Sequence, residues 1–211
     1  FPFYRSDFEI VVVDPHRPGH ELSYHPGETN LRRADVVVIN KVDTADFNGI
    51  LTVRENIALA NPKAVVVDAA SPIFVNDDEV AKIKGKKVLV VEDGPTLTHG
   101  EMKYGAGVVA AKKYGAAEII DPRPWAQGSI LETFGKYPKI GSLLPAMGYG
   151  AQQIRDLEAT INAVPCDAVI IGTPIDLSRI VKINKPSVRV SYELQEIGTP
   201  TLETLIKKLL I

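Results

Sequence analysis

Short apolar, β-branched runs that each end in a polar or glycine-containing turn most constrain this chain. They are Glu9–Asp14, Ala34–Asn40, Ala64–Asp68, Lys87–Glu92, Glu118–Asp121, Asp167–Gly172 and Ser187–Tyr192. Val-Val-Val-Ile and Val-Leu-Val-Val are continuous rather than alternating, so both faces of each strand must be buried. Amphipathic helical periods fill the gaps at 48–60, 77–83, 101–114, 150–163 and 201–210. Strand and helix alternating from end to end predict an α/β fold, a doubly wound and mostly parallel sheet. The stretch 121–150 reads as a long functional loop or junction, because it holds Pro122, Pro124, Pro138 and Pro145 with five glycines. A softer boundary near Ser71–Gly85 predicts a nucleotide-binding unit over 1–75 and an appended α/β substrate or regulatory unit over 76–211.

Composition narrows the partners. The chain has 211 residues, a net charge of −2 and one cysteine. That balance gives no electrostatic reason for nucleic acid or an anionic membrane. Cys166 alone cannot form an internal disulfide and suits a reducing cytoplasm. No apolar run approaches the ~20 residues of a membrane span. A homodimer is compatible with all of this.

Ligands of parallel α/β sheets bind beyond the carboxyl ends of the strands. Val11-Val12-Val13-Asp14 places a carboxylate there, suited either to Mg²⁺ beside nucleotide phosphates or to capping the next turn. Val36-Val37-Val38-Ile39-Asn40-Lys41-Val42-Asp43 carries the Asn-Lys-x-Asp arrangement of guanine recognition. Asp43 would accept from the two N–H donors of guanine, Asn40 would read the other edge, and the Lys41 stem would lie along the base. Ala69-Ala70-Ser71 then supplies small residues and a backbone N–H for the guanine oxygen, or an ordinary tight turn. No G-x-x-x-x-G-K-[ST] phosphate loop occurs; in a P-loop fold it would precede Phe1. Val88–Gly107 runs from a strand into a Gly/Thr-rich segment with Glu92, Asp93, His99 and Lys103, suited to a phosphorylated or carboxylated substrate or to a capped structural turn. At Gly172-Thr173-Pro174-Ile175-Asp176 the favoured reading is a capped turn. His16, His20 and His25 match no zinc spacing. Arg17, Arg32 and Arg33 are candidates to meet phosphate. Cys166 reads as core.

These segments resemble the archaeal cyclic 2,3-diphosphoglycerate synthetases and the predicted GTPases grouped with them. The residues that carry the resemblance are Asp14-Pro15-His16-Arg17-Pro18-Gly19-His20-Glu21, His25–Arg32, Asn40–Asp43, Glu92–Gly100 and Gly172–Leu177. It covers nearly the whole chain but only the C-terminal half of the family's length. The resemblance implies a P-loop-type fold with an added C-terminal α/β layer, GTP or ATP with Mg²⁺ as cofactors, and intramolecular phosphoanhydride formation from 2,3-diphosphoglycerate. It implies that Asp14 holds Mg²⁺ and that Arg17, His99 and Lys103 bind the phosphorylated substrate. It also implies a partner in the missing N-terminal half, which would carry the phosphate loop and without which this piece would not turn over. Two other readings stay open: a GTPase switch or metallochaperone of the same class, and a non-catalytic nucleotide-binding module.

Overall fold

A computed structural model describes residues 4–98 and 104–208. In chain order the strands are β1 (Ile10–Val13), β2 (Val36–Ile39), β3 (Val65–Ala70), β4 (Ile73–Phe74), β5 (Lys87–Asp93), β6 (Glu118–Ile119), β7 (Leu144–Ala146), β8 (Ala168–Ile171), β9 (Ser187–Arg189), β10 (Ser191–Tyr192) and β11 (Gln195–Ile197). The helices are α1 (His20–Ser23), α2 (Gly27–Arg33), α3 (Phe47–Ala60), α4 (Gly94–Thr98), α5 (Ala106–Lys113), α6 (Gly128–Lys136), α7 (Ala151–Ala163) and α8 (Leu202–Lys207). Six of the seven predicted strands form as single strands, and the seventh, Ser187–Tyr192, is divided into β9 and β10. No helix among the described residues is long and apolar enough to cross a membrane.

The chain divides into two compact units, one made of Phe1–Pro72 with Tyr192–Ile211 and the other of Ile73–Ser191. The first unit is a sheet in the order β1-β2-β3-β11. β1, β2 and β3 run parallel, with Ile10 opposite Val36 and Val36 opposite Val65. Cover on both faces explains the unbroken valines of β2, whereas Ile10 and Val12 of β1 stay exposed against expectation. Val13, Leu31, Val37, Ile39, Val53 and Ile57 pack toward α2 and α3. Val36, Val38, Val67 and Ala69 pack on the opposite face against Phe8, Leu202 and Leu205. β1 is the edge, and its Val12 remains 61% exposed.

Residues 192–211 leave the segment in which the sequence places them, because β11 pairs antiparallel with β3, Gln195 opposite Ala70. Leu202 and Leu205 of α8 then cover the β2–β3 face. Antiparallel return needs only a matching edge, and nothing in the local sequence of 195–197 announces it.

Asn61 ties two elements of this unit together. Buried at the end of α3, its Nδ2 donates to the carbonyls of Leu31 (2.9 Å) and Ala34 (2.8 Å) at the end of α2. Asn61→Ala should cost about 1–3 kcal/mol by leaving two buried carbonyls unpaired, measurable as a shift in the urea midpoint.

The second unit is a parallel sheet in the order β6-β5-β8-β9, with β7 paired to the upper part of β5. β5 is central, with Val88, Leu89, Val90 and Val91 fully buried. The segment 121–150 is not one long loop. It contains α6, which buries Ile130 and Phe134, and β7, which aligns Pro145 with Glu92. Its proline and glycine content hides both. Gly128 has φ +49° at the start of α6, and a Cβ there would lie 2.5 Å from the Asp156 carboxyl carbon. The buried Asp156 instead accepts from Ser129 N–H (2.9 Å), Ser129 Oγ (2.8 Å) and Gln152 Nε2 (2.7 Å), so it caps α6 from α7.

Candidate functional site

The carboxyl ends of β1, β2 and β3 bring several of the predicted residues together. Asn40 follows β2, and its backbone N–H donates to Val13 O at 3.1 Å, holding it beside the end of β1. Lys41 takes a left-handed backbone, φ 61°. This is uncommon for a residue with a Cβ and signals a conformation imposed by its surroundings. The imposing contacts are visible. Asn40 Oδ1 accepts from Lys41 N–H at 2.9 Å. Val42 N–H donates to Ala69 O (3.1 Å), and Thr44 and Ala45 N–H donate to Lys41 O.

That turn sends the Lys41 ammonium to Asp14, Nζ to Oδ2 2.9 Å. Arg17 Nη2 lies 3.0 Å from the same oxygen, and Oδ1 accepts from His16 N–H at 3.1 Å. Burial alone would raise the Asp14 pKa. The hydrogen bond and charge of Lys41, the His16 N–H and the Arg17 charge outweigh it and hold the carboxyl below its usual range. A divalent cation on Asp14 fits this arrangement poorly. Three donors already take three of the carboxylate's roughly four acceptor positions, and two of them are cations that would face the metal's charge. Among the described residues, no three His, Cys, Asp or Glu side chains converge as a metal set.

On the other side of β2, Asp43 is exposed and its Oδ1 lies 3.4 Å from the backbone N–H of Ser71. Ala70 is buried and paired to Gln195, and Ser71 is half-buried just beyond it. Asn40, Lys41, Asp43, Ala70 and Ser71 therefore line one rim with Asp14 and Arg17. His99 and Lys103 lie outside the described residues.

Other predicted residues are engaged locally. Arg32 pairs with Glu28 at 2.8 Å and Arg33 with Glu9, each as an exposed one-to-one ion pair. His16 Nε2 meets Thr44 Oγ1 at 3.1 Å, and His20 packs on Tyr24. Asp176 accepts from Ser178 N–H at 3.2 Å, the capped turn read from sequence. Cys166 is half-buried, and burial raises its thiol pKa.

In the second unit the residue whose part the sequence understated is Glu92. It sits at the carboxyl end of the central strand, 2% exposed. Its Oε1 accepts from Gly105 N–H (3.1 Å) and Val108 N–H (2.9 Å) at the start of α5. Burial pushes its pKa up to about 7, with those N–H groups pulling back and the Asp93 charge adding to the rise. The available signal was Gly105, Gly107 and Gly172, three residues whose missing Cβ leaves room for a carboxyl group. Beside α5, an open groove of about 370 Å³ is lined by Tyr104, Val108, Lys112, Ile119 and Gly141–Leu143.

No family model matches the chain. It is similar to a curated protein of the archaeon Thermococcus kodakarensis named arginine synthetase ArcE, at 65% identity over 208 residues. That alignment takes in 99% of this chain and 46% of the relative, so the chain spans about half the relative's length. The relative bears a synthetase name, as the sequence resemblance led one to expect, but it is named for arginine and not for cyclic 2,3-diphosphoglycerate.

Proposed function

We propose that this chain contributes the base-recognition rim and a second α/β unit to a nucleotide-dependent, ligase-like enzyme of the P-loop class. The observation that carries this reading is the rim itself: Asn40 and Asp43 presented after a buried strand, with Asp43 beside the Ser71 N–H. An acceptor carboxylate flanked by a backbone donor complements the edge of guanine and opposes the donor pattern of adenine, so GTP is favoured over ATP. The product is read from the relative. With 65% identity behind it, formation of arginine or a similar guanidino compound is the better guide. The cyclic phosphoanhydride has only the motif resemblance behind it. Either product needs an oxygen activated by phosphoryl or nucleotidyl transfer before it can be displaced, which is the work a nucleotide does in a synthetase.

In a protein as long as the relative, the remaining sequence would supply the phosphate loop. On this reading the rest of such a protein is the partner of this chain.

Calorimetric titration of GTP and of ATP tests the base assignment. GTP should bind more tightly, and Asp43→Ala should weaken it about ten- to a hundredfold by leaving the guanine donors unpaired. Equal affinities for the two nucleotides, or no effect of Asp43→Ala, would remove the guanine reading. Arginine formation coupled to nucleotide cleavage by the full-length protein tests the product.

A further inference from the structure

The three-way contact at the end of β1 assigns Asp14 a different task from holding a metal ion. We propose that Asp14 is a positioning residue for a two-cation anion site. In that site Lys41 and Arg17 bind a phosphoryl group directly, and the Lys41 ammonium stands where a divalent cation on Asp14 would otherwise sit. Naming the anion as phosphoryl rests on the nucleotide reading above; the arrangement of charges does not.

Four observations carry the proposal. Asp14 is the most enclosed of the three groups, its side chain 16% exposed, against 35% for Lys41 and 30% for Arg17. A carboxylate that deep is held by its two cations, while the cations keep surface for a second acceptor. The cluster carries two positive charges against one negative, an excess that suits an anion and opposes a metal. The Lys41 backbone is locked in the left-handed region by contacts from Asn40, Ala69, Thr44 and Ala45, so the reach of its ammonium across 27 residues to Asp14 is built in rather than a chance surface pairing. Finally, Arg17 Nε is buried with no hydrogen-bond acceptor among the described residues. A buried guanidinium N–H is costly to leave unpaired, and an anion that draws the Arg17 side chain outward would supply the acceptor it lacks.

Asp14 thus holds two donors about a single carboxylate oxygen, Lys41 Nζ at 2.9 Å and Arg17 Nη2 at 3.0 Å. Lys41 serves as a compact point charge and Arg17 as the planar fork. The carboxylate prevents the two cations from repelling one another apart before the ligand arrives.

The test uses inorganic pyrophosphate and Mn²⁺, with no nucleoside, so its failure is separable from failure of the base assignment, which Asp43→Ala reads. With chelator present, the protein should bind pyrophosphate, and Lys41→Asn and Arg17→Gln should each weaken it by about tenfold or more. Asparagine tolerates the left-handed backbone, so Lys41→Asn removes the charge and spares the turn. Asp14→Asn should also weaken pyrophosphate, although it makes the cluster more positive, and Asp14→Glu should recover part of the loss. Tighter pyrophosphate binding by Asp14→Asn would overturn the positioning role. In parallel, Mn²⁺ titration followed by electron paramagnetic resonance should find no difference between the wild-type protein and Asp14→Asn. A stoichiometric Mn²⁺ site lost in Asp14→Asn would overturn the proposal, and because the wild-type half of that comparison needs no variant to fold, a wild-type protein that binds Mn²⁺ but not pyrophosphate would overturn it as well.

Discussion

The second unit is expected to lose about 3–4 kcal/mol of stability as pH rises from about 4.5 to about 7, and to hold steady above that, because Glu92 stays protonated in the folded state long after it would ionise in the unfolded chain. Its folded pKa is about 7 against an ordinary value of 4.5. Between those values the folded state holds more protons than the unfolded one, so stability is complete below the lower value and declines toward the higher one. At about 1.4 kcal/mol per pKa unit, the difference gives the figure above. Burial is the main cause. The N–H groups of Val108, Gly105 and Gly107 lessen the rise, and the neighbouring Asp93 charge increases it. Glu92→Gln keeps a carbonyl acceptor for Gly105 and Val108 and cannot ionise, so its stability should be nearly flat over the same range. Trp125 is the single tryptophan of the chain and packs against the core of the second unit, so urea unfolding read by its fluorescence isolates this unit. A variant that kept the wild-type slope would show that another group titrates.

Gly172→Ala should cost about 3 kcal/mol of stability. A Cβ there would stand 2.4 Å from Glu92 Oε2 and 2.6 Å from the backbone nitrogen of Gly107. The carboxyl group has no room to turn away, because Gly105 and Gly107 enclose it and a Cβ on Gly105 would meet Oε2 at 2.5 Å. Relief therefore requires the start of α5 to move off the sheet, and overpacking of that kind costs a few kcal/mol. Gly135 is the control. It lies within α6, and the position a methyl group would take there has nothing within 4 Å, so Gly135→Ala should stabilise by about 0.5–1 kcal/mol. Similar effects at the two positions would mean that the glycines around Glu92 are not there for close approach.

These residues also show what could be read in advance. Strands β2, β5 and β8 were legible because a sheet covered on both faces demands unbroken apolar runs, and few other structures do. β7 and β11 were not. Leu-Pro-Ala and Gln-Glu-Ile contain no such run, and each becomes a strand only because an edge of β5 or β3 is there to pair with. α6 was hidden for a related reason: its start depends on Asp156, 27 residues away, supplying the cap that the local sequence lacks. In the candidate site, Asn40, Lys41 and Asp43 were recognisable from their order after a strand. Their geometry was not, since Lys41 turns toward Asp14 instead of remaining free to lie along a base.

The sequence by itself determined the α/β class, the burial of β2, β5 and β8 on both faces, and the polar residues at the carboxyl ends of the strands. Those follow from local periodicity, which depends on neighbours one to four residues apart. Tertiary structure decided the rest. It returned Tyr192–Ile211 to the first unit, set Asp14 between Lys41 and Arg17, and enclosed Glu92 among three glycines drawn from the start of α5 and the turn after β8. Each depends on which strands lie side by side and in what register. A carboxylate at a strand end therefore looks the same in the sequence whether it will be paired with cations, as Asp14 is, or kept neutral by burial, as Glu92 is.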